Sequence, residues 1–185
     1  MDVAIELFVA HGYDQTTMEQ IAEKAEVAPS TLYRYFTSKD LLILDPLLVF
    51  TDLGRALTSR PADEPVGQSL AVVLRDSLES AVDDPRHAAV RKIIDEAPAP
   101  RARLWDIAAE SRNSLEQALA ERMALPPNDL RVTMAARIAL QLFEIVAERW
   151  SAGDHSASRA GVLNDILTTL AEQDLVLPTP LDRAT

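Results

Sequence analysis

The stretch from Val27 to Lys39, reading VAPSTLYRYFTSK, restricts what this chain can fold into more than any other. Pro29 fits the first position of a helix, because its φ is fixed near the helical value and its missing N–H would have had no intrahelical acceptor. A helix therefore starts there. At about 100° per residue, Leu32 and Phe36 fall on one face as an i, i+4 pair, while Ser30, Thr31, Arg34 and Tyr35 spread over the opposite side. One side anchors the helix and the other presents hydrogen-bonding groups. Just beyond it, Ser38 is placed to cap a further helix.

The residues upstream supply something to anchor on. Val3, Ala4, Leu7, Phe8 and His11 keep the spacing of an amphipathic helix, which Gly12 ends. Thr16 or Thr17 caps the next helix, with Glu19 or Gln20 three positions on to complete a capping box. Met18, Ile21, Ala22 and Ala25 hold the apolar stripe in phase, so this second helix packs on the first and on Leu32 and Phe36. The result is a three-helix head carrying a helix-turn-helix, a shape whose outer helix can enter the major groove of DNA.

Thr16-Thr17-Met18-Glu19-Gln20-Ile21-Ala22, Thr31-Leu32-Tyr33-Arg34-Tyr35-Phe36 and Ser38-Lys39-Asp40-Leu41-Leu42, with Leu7-Phe8 and Gly12-Tyr13 ahead of them, resemble the DNA-binding signature of the TetR family of bacterial transcriptional regulators. The resemblance implies a homodimer that binds a double-stranded DNA operator, acting as a repressor released by a small-molecule effector of unknown identity. It also implies that positions matching Thr31, Tyr33, Tyr35 and Lys39 touch the phosphate backbone, with Thr17 on the same DNA-facing side. Base reading then falls to Ser30 and Arg34, Arg being able to pair with guanine through two hydrogen bonds. Arg34 on phosphate is the alternative.

Three residues depart from the family pattern. Glu26 stands where the turn commonly carries glycine, and Ala28 where a capping serine is usual. Glu19 lies on the face of the second helix that approaches DNA, where an acid repels phosphate unless it accepts from a cytosine amino group. Its other role is in a capping box with Thr16. The charge balance is unfavourable too: between Met1 and Asp45 three cations (Lys24, Arg34, Lys39) face eight anions, a balance of −5 in a chain of net charge −11. Phosphate neutralisation by Lys and Arg supplies most non-specific DNA affinity. Similar proteins usually carry a basic arm ahead of the first helix, and this chain starts almost inside that helix. The deficit keeps open a second reading, a helix-turn-helix-derived protein-interaction module without DNA binding.

Beyond the head the apolar periodicity stays helical, with no two-residue alternation of strands. A helix from Ser38 to Leu57 is expected to join the two parts, kinked at Pro46, which removes one backbone donor and crowds the preceding turn. Stripes at Val66, Leu70, Val73, Leu74 and Leu78, at Val90, Ile93, Ile94 and Ala97, and from Leu104 to Leu119 define further helices. The fold class is thus all-α: a head over residues 1–45, a helical ligand-binding and dimerisation domain over 46–176, and a tail over 177–185. The run from Leu130 to Trp150 has only a narrow polar stripe, Arg137, Gln141, Glu144 and Glu148, so it must bury two flanks. A dimer through Ile138, Leu142, Ile145, Leu163, Ile166, Leu167 and Leu170 satisfies both, as the resemblance also implies. By that resemblance the helices enclose an effector pocket, with Trp105 and Phe143 as candidate walls.

Several classes of function lack support. There is no cysteine, and His11, His87 and His155 are not spaced as metal ligands, so neither metal nor cofactor is expected. No phosphate-cradling glycine loop, serine elbow or metal cluster suggests an enzyme. No apolar run approaches the roughly 20 residues of a membrane-spanning helix, and no membrane partner and a cytoplasmic location are expected.

Overall fold

A computed structural model describes residues 2–44, 51–80, 87–152 and 158–172, and ten α-helices account for most of them. In the head these are α1 (Asp2–His11), α2 (Met18–Lys24), α3 (Pro29–Tyr35) and α4 (Lys39–Leu44). The rest comprises α5 (Leu53–Thr58), α6 (Val66–Ser80), α7 (His87–Glu96), α8 (Pro98–Met123), α9 (Leu130–Ala152) and α10 (Arg159–Ala171). No strand occurs among the described residues, and none of their helices is long and apolar enough to cross a membrane.

The head is built as its sequence dictates, with informative exceptions. Gly12 follows α1 at φ 84°, a left-handed value at which a side chain is strained, and so turns the chain toward α2. Of the two candidate caps it is Thr17 that serves: its hydroxyl accepts from the Gln20 N–H, and the Gln20 side chain accepts from the Thr17 N–H at 2.8 Å. Thr16 is instead buried, donating its hydroxyl to the Gly12 carbonyl at 2.9 Å. The helix expected to run from Ser38 to Leu57 is not continuous, since Thr51 and Asp52 form a turn after which α5 opens. Pro46 lies outside the described residues.

Two apolar cores follow. The larger joins Leu53 and Leu57 of α5 to Leu74 of α6, Leu115 and Leu119 of α8, Val132, Phe143 and Val146 of α9 and Leu163 of α10. At its centre α5 and α8 approach so closely that a Cβ on Gly54 would lie 2.6 Å from the Ser114 carbonyl oxygen, which leaves room for glycine alone. The second core is shared between the head and the rest of the chain. Ala4, Ile5, Phe8, Met18, Ile21 and Leu42 to Leu44 pack in one cluster with Val90, Ile93, Ile94 and Ala97 at α7 and Ile107 of α8. Burying apolar surface at about 25 cal/mol per Å² makes such a cluster the main tie between the head and the helices behind it.

Candidate nucleic-acid interface

Helix α3 turns most of its surface to solvent. Pro29 occupies its first turn, and Ala28 before it provides no side-chain cap. None of its residues is fully buried; Leu32, with Phe36 just after the helix, holds it against the shared core. Phe36 itself has φ −130° and ψ 106°, so it reaches the core as an extended residue rather than as the last turn of helix. Ser30, Tyr33, Arg34 and Tyr35 are exposed and Thr31 is half-buried. The turn leading into α3 passes through Glu26 at φ 56°, the left-handed conformation for which glycine is suited.

Four expected DNA-facing side chains thus share one outward surface, and their local partners define what each can do. The Arg34 guanidinium lies 5.0 Å from the centre of the Tyr35 ring in a cation–π arrangement, and Nη2 donates to the Tyr35 hydroxyl at 3.5 Å, a long bond that leaves the other donors of the guanidinium fork to face outward. Tyr33 donates its hydroxyl proton to Glu19 Oε1 at 3.1 Å, linking α3 to α2 across the turn. The capping box is closed by Thr17 and Gln20, so the expected box of Thr16 with Glu19 does not form. Its carboxyl is held below the usual range by a bond from its own backbone N–H and then by Tyr33, whose hydroxyl is pushed up in turn.

Lys39 and Thr17 sit differently from the rest. The Lys39 ammonium donates to the carbonyls of Tyr13 at 2.7 Å and Thr16 at 3.1 Å, and stands 4.2 Å over the Tyr13 ring. Tyr13 donates to Asp40, and desolvation with that carboxylate raises its pKa. An ammonium has three protons, and the turn between α1 and α2 engages them, so Lys39 fastens α4 to that turn. This clasp of Tyr13, Lys39 and Asp40 was not foreseen from sequence; its one signal was an aromatic ring placed directly after the helix-ending glycine. Thr17 is exposed, but its hydroxyl is engaged in the cap. Lys24, the remaining cation of the head, pairs with Glu6 at 3.1 Å. Arg34 is consequently the head's outward-facing guanidinium.

The residues expected at the effector site and at the dimer interface are dispersed. Trp105 projects from α8 with 73% of its surface exposed, whereas Phe143 is buried in the larger core, so the two do not wall a common space. Leu142 and Leu163 are also consumed by that core, because α10 packs on α9 and α6 of its own chain. Ile145, Ile166 and Leu167 are half-buried, and Ile138 and Leu170 are exposed. Leu130 and Met134, absent from the expected set, continue the exposed row of Ile138 along α9 at intervals of four residues.

A family model described as "Bacterial regulatory proteins, tetR family" matches residues 1–45, the whole of this head. The chain is 31% identical to the HTH-type transcriptional regulator TcmR of Streptomyces glaucescens over 156 residues, 80% of this chain and 69% of that protein. Among solved structures, the transcriptional regulator FadR from Bacillus subtilis, crystallised with stearoyl-CoA, superposes with a TM-score of 0.60 at 21% identity, covering 91% of this chain and 94% of that one. The SmeT–triclosan complex superposes with a TM-score of 0.61 at 20% identity, covering 98% of this chain and 96% of that one. A head folded as a helix-turn-helix, continued by helices that align with TcmR through most of its length, makes this protein a member of the tetR family of bacterial transcriptional regulators.

Proposed function

We propose that this regulator is a homodimer that represses transcription by binding an operator through α3 and releases it when a small apolar molecule enters the helices behind the head. The observation that carries the reading is the outward face of α3, where Ser30, Tyr33, Arg34 and Tyr35 stand exposed on a helix anchored by Leu32 and Phe36. Such a helix presents hydrogen-bonding groups at the depth of base edges while its other side stays in the protein. For dimerisation, the exposed row Leu130, Met134 and Ile138 on α9, with Leu170 on α10, supplies the apolar strip that a second copy would cover. In support of an apolar effector, two proteins of the same fold, the Bacillus subtilis FadR and SmeT, were crystallised with stearoyl-CoA and with triclosan, both of which carry large apolar parts. Phe143 belongs to the core that such a molecule would have to open.

Selection of bound duplexes from a random pool at low salt tests the reading. An inverted repeat with half-sites about 34 Å apart, or a multiple of that, is the expected product. Absence of any enriched sequence, with protein partners retained, would support the module that has kept the shape and lost DNA. Sedimentation should give the mass of a dimer, and a monomer at micromolar concentration would remove the strip on α9 from the account. Release of the selected duplex by stearoyl-CoA or triclosan, but not by coenzyme A alone, tests the effector class.

A further inference from the structure

The pairing of Glu19 with Tyr33 gives one part of the reading surface a definite polarity. The Tyr33 hydroxyl has one proton, and it is directed to Glu19 Oε1 at 3.1 Å. What the tyrosine oxygen then has to offer is its lone pairs, and the ionised carboxylate beside it can only accept. The pair as a unit is therefore an acceptor without a donor. Both side chains are exposed, Tyr33 on α3 and Glu19 one residue into α2, so the unit lies on the surface that the helix-turn-helix turns outward.

A phosphate oxygen also only accepts, and it carries negative charge. It can neither receive a proton from this pair nor approach Glu19 without repulsion, so the family-like expectation of a Tyr33–phosphate contact conflicts with the arrangement found. The groups in the major groove that can donate are the exocyclic amines, N4 of cytosine and N6 of adenine. Arg34, one residue further along α3, has the opposite character, with donors only, and suits the acceptors of guanine.

We propose that Glu19 and Tyr33 act together as a specificity-determining acceptor that selects a base bearing an exocyclic amine, cytosine or adenine, at one position of each half-site. The proposal rests on α3 reading the major groove. Glu19 sets the direction of the Tyr33 proton, and Tyr33 or the carboxylate takes the hydrogen bond from the base. The acid that weakens the head's attraction to phosphate thereby contributes to discrimination among sequences.

The test is the same duplex selection carried out with the wild-type protein, Tyr33→Phe and Glu19→Gln, each first shown by circular dichroism to keep its helical content. In the wild type one half-site position should be restricted to cytosine or adenine. Tyr33→Phe should relax that position by about fivefold, the equivalent of one hydrogen bond, and leave the others unchanged. In Glu19→Gln the amide can donate to the tyrosine oxygen and free the phenolic proton, so the preference should move toward the acceptors of guanine or thymine. Glu19→Gln should also bind random duplex more tightly, since a charge is removed. If both variants keep the wild-type preference at every position and differ only by a uniform factor in affinity, the pair has no reading role and the proposal falls. If the wild-type protein selects nothing, it is the operator-binding reading itself that fails, and the two results cannot be confused.

Discussion

Helices α2 and α3 are each seven residues long and lie side by side, yet they are held in opposite ways. In α2 a reciprocal capping box closes the first turn, Met18, Ile21 and Ala22 are buried, and the Ala25 N–H closes the last turn onto the Ile21 carbonyl. In α3 the cap position is alanine, the approach passes through a left-handed glutamate, and no residue is fully buried. The first helix is specified by its own sequence and its place in the core. The second depends on Pro29 and on two half-buried side chains, Leu32 and Phe36. A helix that must leave most of its surface for a ligand has little left for holding itself in place, and its local order is correspondingly cheap to disturb.

The contrast can be broken from the α2 side with the largest effect. Ile21→Ala removes a side chain that is 2% exposed and should cost about 2–5 kcal/mol, seen as a lower urea midpoint by circular dichroism. A loss below about 1 kcal/mol would mean that α2 is not the scaffold described. Next come two mirror-image changes. Thr17→Ala should destabilise by about 1 kcal/mol through loss of the box, and Ala28→Ser should stabilise by about the same amount by giving α3 the acceptor it lacks. Amide exchange read residue by residue should show α3 opening more readily than α2, and Ala28→Ser should narrow that gap. Glu26→Gly should add up to about 1 kcal/mol by relieving the left-handed residue, and a destabilised variant would show that the glutamate side chain matters more than its backbone. Smallest of all, Tyr33→Phe should change stability by less than about 0.5 kcal/mol, since the ring is 44% exposed; its effect belongs to sequence preference instead.

How much of this was readable in advance depends on the range of the interaction. Pro29, Gly12 and the alternatives Thr17 and Gln20 act within a few residues, and these elements could be placed from spacing alone. The helix order and the two-sided character of α9 follow from periodicity over a single segment. The contacts that spacing did not reveal involve partners far apart in the chain. The anchoring of Lys39 was not legible because its acceptors, the carbonyls of Tyr13 and Thr16, are backbone groups that every residue carries and no motif can signal. Glu19 and Tyr33 are separated by a turn whose geometry had to be known before they could be paired. Trp105 was a wall candidate only through the family resemblance, and the structure buries Leu104 partly and Ile107 fully from that turn of α8 while leaving the indole exposed.

The shared core restricts how the head of this regulator can be exchanged. Cutting the chain near residue 45 and fusing the head to another body would uncover Ile5 and Phe8 on one piece and Val90, Ile93 and Ile94 on the other. The head is thus not portable as a block, however clear its boundary looks in a motif. If α3 reads the operator as proposed, what is portable is a handful of exposed side chains, Glu19, Ser30, Tyr33, Arg34 and Tyr35, because none of them contributes to that core. On that reading this regulator is better retargeted by changing those residues in place, leaving the junction with its body intact.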